Sequence, residues 1–126
     1  MGILEAATPV IVVCTRDRAR ATAFYRETLG LTLAHEDEFA AAFSIGGTTL
    51  RVSTVADFVP HQHTILGFRV EDVATTVKAL RETGAVFNVY KGFNQDEFGV
   101  WTAPSGSVRV AWFNDPDGNV LSITNV

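Results

Sequence analysis

Cysteine is almost absent from this sequence. Cys14 stands alone among 126 residues, which excludes an internal disulfide and a thiolate metal cluster. It sits in the run Val10-Ile11-Val12-Val13-Cys14, where no polar neighbour activates the thiol, so a buried, inert cysteine is expected. Positive charge is also in short supply. Ten Lys and Arg stand against fourteen Asp and Glu, a net charge of -4, and no basic stripe offers a phosphate backbone a place to bind. Long apolar runs are missing too: Pro9 to Cys14 falls far short of the roughly 20 residues of a membrane span. No Lys or Arg precedes Arg16, as the start of a signal peptide would require. Neither nucleic acid nor membrane is expected as a partner, and a cytoplasmic protein is the simplest reading. A GxSxG elbow, a P-loop and a dinucleotide fingerprint are all lacking.

What is present is a hydrophobic fraction of 47%, enough for one continuous core, and a pattern that occurs twice. Pro9 to Thr15 is a β-branched run. Asp17 follows as a helix N-cap. Ala21, Phe24, Tyr25 and Leu29 then recur at helical spacing, and Gly30 supplies the stop. The order returns with Thr64 to Val70 as strand, Asp72 as cap, Val73, Val77 and Leu80 as stripe, and Gly84 as stop. The shift is 55 positions between the caps and 54 between the stops, so the register holds across the helix and the chain is an internal duplication.

After each helix the pattern changes to period two with turn punctuation. Leu31 to Glu36, Phe39 to Ser44 and Thr48 to Ser53 read as strands in the first copy. Val86 to Tyr90, Arg109 to Asn114 and Asn119 to Thr124 read so in the second. Lys91 to Ser107 is an excursion with one short strand around Trp101. The fold class is therefore α+β, a single domain over 1–126 built of two βαβββ modules (8–54 and 63–126) joined by a linker (55–62). Their curled mixed sheets enclose a cup, lined by the residues that alternate away from the helices.

The stretch Asp17 to Tyr25 followed by Leu29-Gly30-Leu31, the segment Phe68-Arg69-Val70-Glu71-Asp72-Val73, and Phe113-Asn114-Asp115-Pro116-Asp117-Gly118-Asn119 together resemble the vicinal oxygen chelate superfamily, the glyoxalase, bleomycin-resistance and dioxygenase family. The likeness covers almost the whole chain and implies the glyoxalase/bleomycin resistance/dihydroxybiphenyl dioxygenase fold. It also implies that metal-dependent members take ligands from the first and last strands of each module. Counting back from the cap aspartates puts those positions on Val10 and Ile65, with Arg51 and Ser122 on the last strands. A divalent cation of this class needs three or four N or O donors. Two aliphatic side chains, a guanidinium and a hydroxyl do not supply them, so no metal and no other cofactor is expected.

The cup then holds Val10, Val12, Thr49, Arg51, Ser53, Ile65, Gly67, Ser122 and Thr124, an apolar lining with a few polar groups. Arg51 is the first candidate for ligand contact, its alternative being a salt bridge to an internal carboxylate. His63 should lie near the rim, able to hydrogen-bond a ligand; with His61 and Glu97 it forms the one alternative metal set. Trp101 and one of the pair Trp112 and Phe113 are candidates for stacking. Gln95-Asp96-Glu97 reads as a solvated loop. The function these residues suggest is metal-free binding or sequestration of a small aromatic or anionic molecule, and the resemblance implies a homodimer. A metal-dependent lyase or dioxygenase with displaced ligands, and a metal-independent enzyme using His63 or Glu97, are the competing readings.

Overall fold

The computed structural model describes residues 2–126. Module one contains β1 (Val10–Thr15), α1 (Arg18–Ala23), β2 (Thr32–Glu36), β3 (Ala40–Ile45) and β4 (Thr48–Thr54). Module two contains β5 (Thr64–Arg69), α2 (Val73–Glu82), β6 (Trp101–Thr102), β7 (Arg109–Asn114) and β8 (Val120–Thr124). Each module forms a four-stranded mixed sheet, ordered β1-β4-β3-β2 and β5-β8-β7-β6, with its first and last strands parallel and the others antiparallel. Two open, curled sheets result, without a closed barrel. Among the described residues no helix is long and apolar enough to cross a membrane.

Local chemistry explains the matching ends of the helices. Asp17 and Asp72 are extended residues whose carboxylates accept the N–H of Arg20 and of Thr75, three residues on, which satisfies an otherwise orphaned donor. Gly30 and Gly84 carry φ of 73° and 107°, left-handed values that a Cβ would disfavour. The first helix departs from expectation by widening into a π-helical turn over Phe24–Thr28. That turn brings Phe24 against Phe113 of module two, with ring centroids 6.4 Å apart.

One buried cluster includes Val13, Tyr25, Phe43, Leu50 and Val52 from module one and Leu66, Val77, Phe113, Leu121 and Ile123 from module two. The helical faces of both sheets thus share a core. Each large apolar side chain fully buried there contributes about 2 kcal/mol.

A polar latch crosses the same junction. Asp115 accepts the Tyr25 hydroxyl at 2.7 Å and the Asn119 amide at 2.8 Å on one carboxylate oxygen, and the backbone N–H of Asp117 and Asn119 on the other. The Asn119 amide also donates to the Cys14 carbonyl. Asp117 accepts the Thr15 hydroxyl and the Arg16 N–H. Burial, reinforced by the Asp115 charge, pushes the Tyr25 hydroxyl far above its ordinary value, so it stays a neutral donor. The Asp115-Pro116-Asp117-Gly118 turn is therefore what ties module two to the end of β1.

Two sequence expectations need correction here. Val86 to Tyr90 forms no strand; only Phe87 bridges to Phe113. The reason is a side chain: the Gln95 amide accepts the Tyr90 N–H and donates to the Asn88 carbonyl, occupying backbone groups that a ladder would use. Module two keeps its βαβββ order because Trp101–Thr102 takes the vacant place. Cys14 is half-buried instead of buried, since it alternates with the buried Val13 and Thr15 and so lies on the open face of β1.

Candidate functional site

The face of each sheet turned from the core carries the residues that alternation assigned to the cup, Ile65 excepted. In module two, Trp112 lies directly across from Ser122, and Ser122 from Gly67, on one row of the ladder. A Cβ on Gly67 would come within 2.9 Å of the Ser122 hydroxyl oxygen, so glycine permits that close approach. Trp112 borders a groove of about 390 Å³ with Tyr90, Phe93, His63, Gln62, Thr64 and Val120, within the usual size for a small-molecule site. Three aromatic rings form its wall. Tyr90, Phe93 and Trp112 meet edge to face, with centroids 5.7 to 5.9 Å apart and interplanar angles of 64° to 70°. Such packing fixes the rings against one another, yet Phe93 remains 52% exposed and Tyr90 36%. Apolar ring surface is thereby left facing solvent.

His63 and Trp112, far apart in sequence, are brought together here. The expected Ile65 is not. It is the unpaired residue of a β-bulge between the pairs Thr64–Val120 and Leu66–Leu121, and it packs half-buried against the core. The extra residue turns Thr64 onto the groove face in its place. Ser122 is buried within the row and does not line the groove. Trp101 is half-buried on β6 opposite Val110, outside the groove lining. Tyr90 ends the run expected as a strand and Phe93 follows in the excursion; both belong to the aromatic-rich second half of the sequence, but only the loop geometry brings them beside Trp112.

Loop chemistry positions those two rings. The Gln95 side chain accepts the Tyr90 N–H at 2.7 Å and donates to the Asn88 and Gly99 carbonyls at 2.9 and 2.8 Å. Asp96 accepts the N–H of Phe98 and Val100. Asp96 and Glu97 are exposed, as a solvated loop requires, while the Gln95 and Asp96 side chains also hold the loop's backbone. Replacing Gln95 with Ala should release the segment carrying Tyr90 and Phe93 and weaken aromatic-probe binding about 5-fold, with a loss of about 1 to 2 kcal/mol in stability. Fluorescence titration and urea unfolding measure the two effects.

Arg51 behaves differently from the expectation of ligand contact. It lies on the open face of sheet one, across from Val12 and Ala42, with one guanidinium nitrogen 3.4 Å from an Asp37 carboxylate oxygen. The cation has found a protein partner, because the β2–β3 turn folds Asp37 back toward it. Asp37 also accepts the N–H of Phe39 and Ala40 at 2.8 and 2.9 Å. Those donors first, and Arg51 after them, hold its carboxyl below the ordinary 3.8. A depressed folded value means that the stabilisation is complete above 3.8 and is lost as pH falls through the lower, folded value. The stability difference between the native protein and Asp37→Asn, measured by urea unfolding, should shrink as pH falls below 3.8.

The residues present do not suit a divalent cation at the four positions implied by the family. Val10 is 53% exposed on sheet one, Ile65 lies in the bulge, Arg51 is already paired and positively charged, and Ser122 offers one hydroxyl. His61 and His63 stack with ring centroids 5.1 Å apart. Glu97, their supposed third donor, lines a different groove with Arg81 and Phe98. Among the described residues, no three His, Cys, Asp or Glu side chains gather into a set able to hold an ion.

Paired βαβββ modules with open sheet faces, one carrying a ligand-sized groove, define a class of small domains. The chain belongs to the Glyoxalase/Bleomycin resistance protein/Dioxygenase superfamily, whose model matches residues 8–123. The crystal structure of SMU.1112c superposes with a TM-score of 0.77 at 18% identity, covering 95% of this chain and 98% of that one. A putative glyoxalase family protein from Bacillus anthracis gives 0.74 at 18%, covering 98% of each. The genomically encoded fosfomycin resistance protein FosX from Listeria monocytogenes gives 0.72 at 13%, covering 94% and 92%. At these identities the likeness speaks for the fold alone. No curated protein matches the sequence.

Proposed function

We propose that the protein binds and sequesters a small planar aromatic molecule in the groove walled by Tyr90, Phe93 and Trp112, and does so without a metal ion. The observation that carries this reading is the fixed aromatic wall facing open space beside His63, Gln62 and Thr64. A flat ring laid on that wall gains dispersion and desolvation, while the imidazole and the Gln62 amide offer hydrogen bonds that fix its orientation. The resemblance to drug-resistance relatives supports a role in holding a toxic compound in the cytoplasm. The working unit is a homodimer: Val10 and Val12 are 53% and 56% exposed on sheet one, and a second copy would remove this apolar face from water.

Protein purified without a histidine tag tests the reading. Elemental analysis should find no stoichiometric divalent ion, and 8-anilinonaphthalene-1-sulfonate, which is planar and anionic, should bind saturably at one site per chain. A full equivalent of zinc, nickel, manganese or iron, with probe binding abolished by chelation, would favour a metal-dependent lyase or dioxygenase instead.

A further inference from the structure

Trp112 and Phe113 point to opposite faces of β7, and Phe113 borders a second space on the core side. This half-enclosed cavity of about 130 Å³ lies where the modules meet, between Leu29 and Leu31 of module one and Leu80, Phe113 and Ile123 of module two. Thr76 contributes the one polar side chain of the lining, and its hydroxyl already donates to the Asp72 carbonyl at 2.9 Å. The Thr76 oxygen keeps acceptor capacity only, so a water in the space would find a single side-chain partner. A buried water needs two to four polar partners, so the space is poorly suited to water. An engineered cavity of about 150 Å³ lined by Leu, Ile and Phe stays dry and takes up benzene.

We infer that this intermodule cavity is a second binding site, separate from the aromatic groove, for an uncharged apolar molecule about the size of one aromatic ring. A ligand there touches both modules at once, so its binding free energy is added to their docking. Charged or hydrogen-bonding ligands are disfavoured, because they would lose hydration without gaining a partner.

Thermal unfolding in the presence of benzene tests the inference. At about ten times its dissociation constant, benzene should raise Tm by about 5 °C in the native protein. The same rise is expected in Trp112→Ala, whose groove is damaged, and none in Thr76→Met or Leu29→Phe, which fill the cavity. If both filled variants fail to fold, nuclear Overhauser contacts between benzene and the methyl groups of Leu29, Leu80 and Ile123 in the native protein decide the matter. The inference is overturned by an absent Tm rise in the native protein, by a rise that persists in a folded filled variant, by loss of the rise in Trp112→Ala, or by benzene contacts confined to the groove.

Discussion

Trp112→Ala is expected to weaken binding of 8-anilinonaphthalene-1-sulfonate about 30-fold, equivalent to about 2 kcal/mol, the range found for central aromatic anchors. The three rings touch one another and Trp112 is the largest of them, so its removal takes away its own face and one support of both Tyr90 and Phe93. Trp112→Phe should recover most of the affinity, because a smaller ring still fills the centre of the wall. Trp101→Phe should leave it unchanged, since Trp101 does not line the groove. Equal losses at the two tryptophans, read by fluorescence titration, would place the ligand elsewhere.

The largest stability effect is expected at Asp115. Replacing it with Ala strands the Tyr25 hydroxyl, the Asn119 amide and two backbone N–H groups inside the junction. Such orphaned donors cost about 1 to 3 kcal/mol each before relaxation and water entry, so a loss of about 4 kcal/mol is expected in urea unfolding. Tyr25→Phe removes one donor together with its need and should cost about 1 kcal/mol. If Asp115→Ala cost no more than Tyr25→Phe, the turn would not be the latch between modules.

Periodic features were legible in the sequence because the backbone enforces them. The caps Asp17 and Asp72, the stops Gly30 and Gly84, and the alternation that sets Val12 and Arg51 on one open face and Ser122 on the other all follow from helix and strand geometry. Side-chain chemistry outside that geometry did not show. Nothing periodic marks Gln95 as the organiser of Tyr90 and Phe93. A single bulged residue exchanged Ile65 for Thr64 at the groove. A salt bridge was one of two readings for Arg51, but its partner could not be named because Asp37 lies beyond the strand end, where only the turn's shape brings it near. The motif around Asp115 was recognisable as a family resemblance, while its role as a buried junction depends on Tyr25, 90 residues away in sequence.

The most direct test of a metal-independent aromatic groove uses Trp101→Phe protein, in which Trp112 is the sole tryptophan. After exhaustive dialysis against EDTA, its emission should be quenched saturably by 8-anilinonaphthalene-1-sulfonate, with an affinity matching that of undialysed protein. Quenching that vanishes on dialysis and returns only with an added divalent ion would contradict it, as would a probe that binds without altering Trp112 emission.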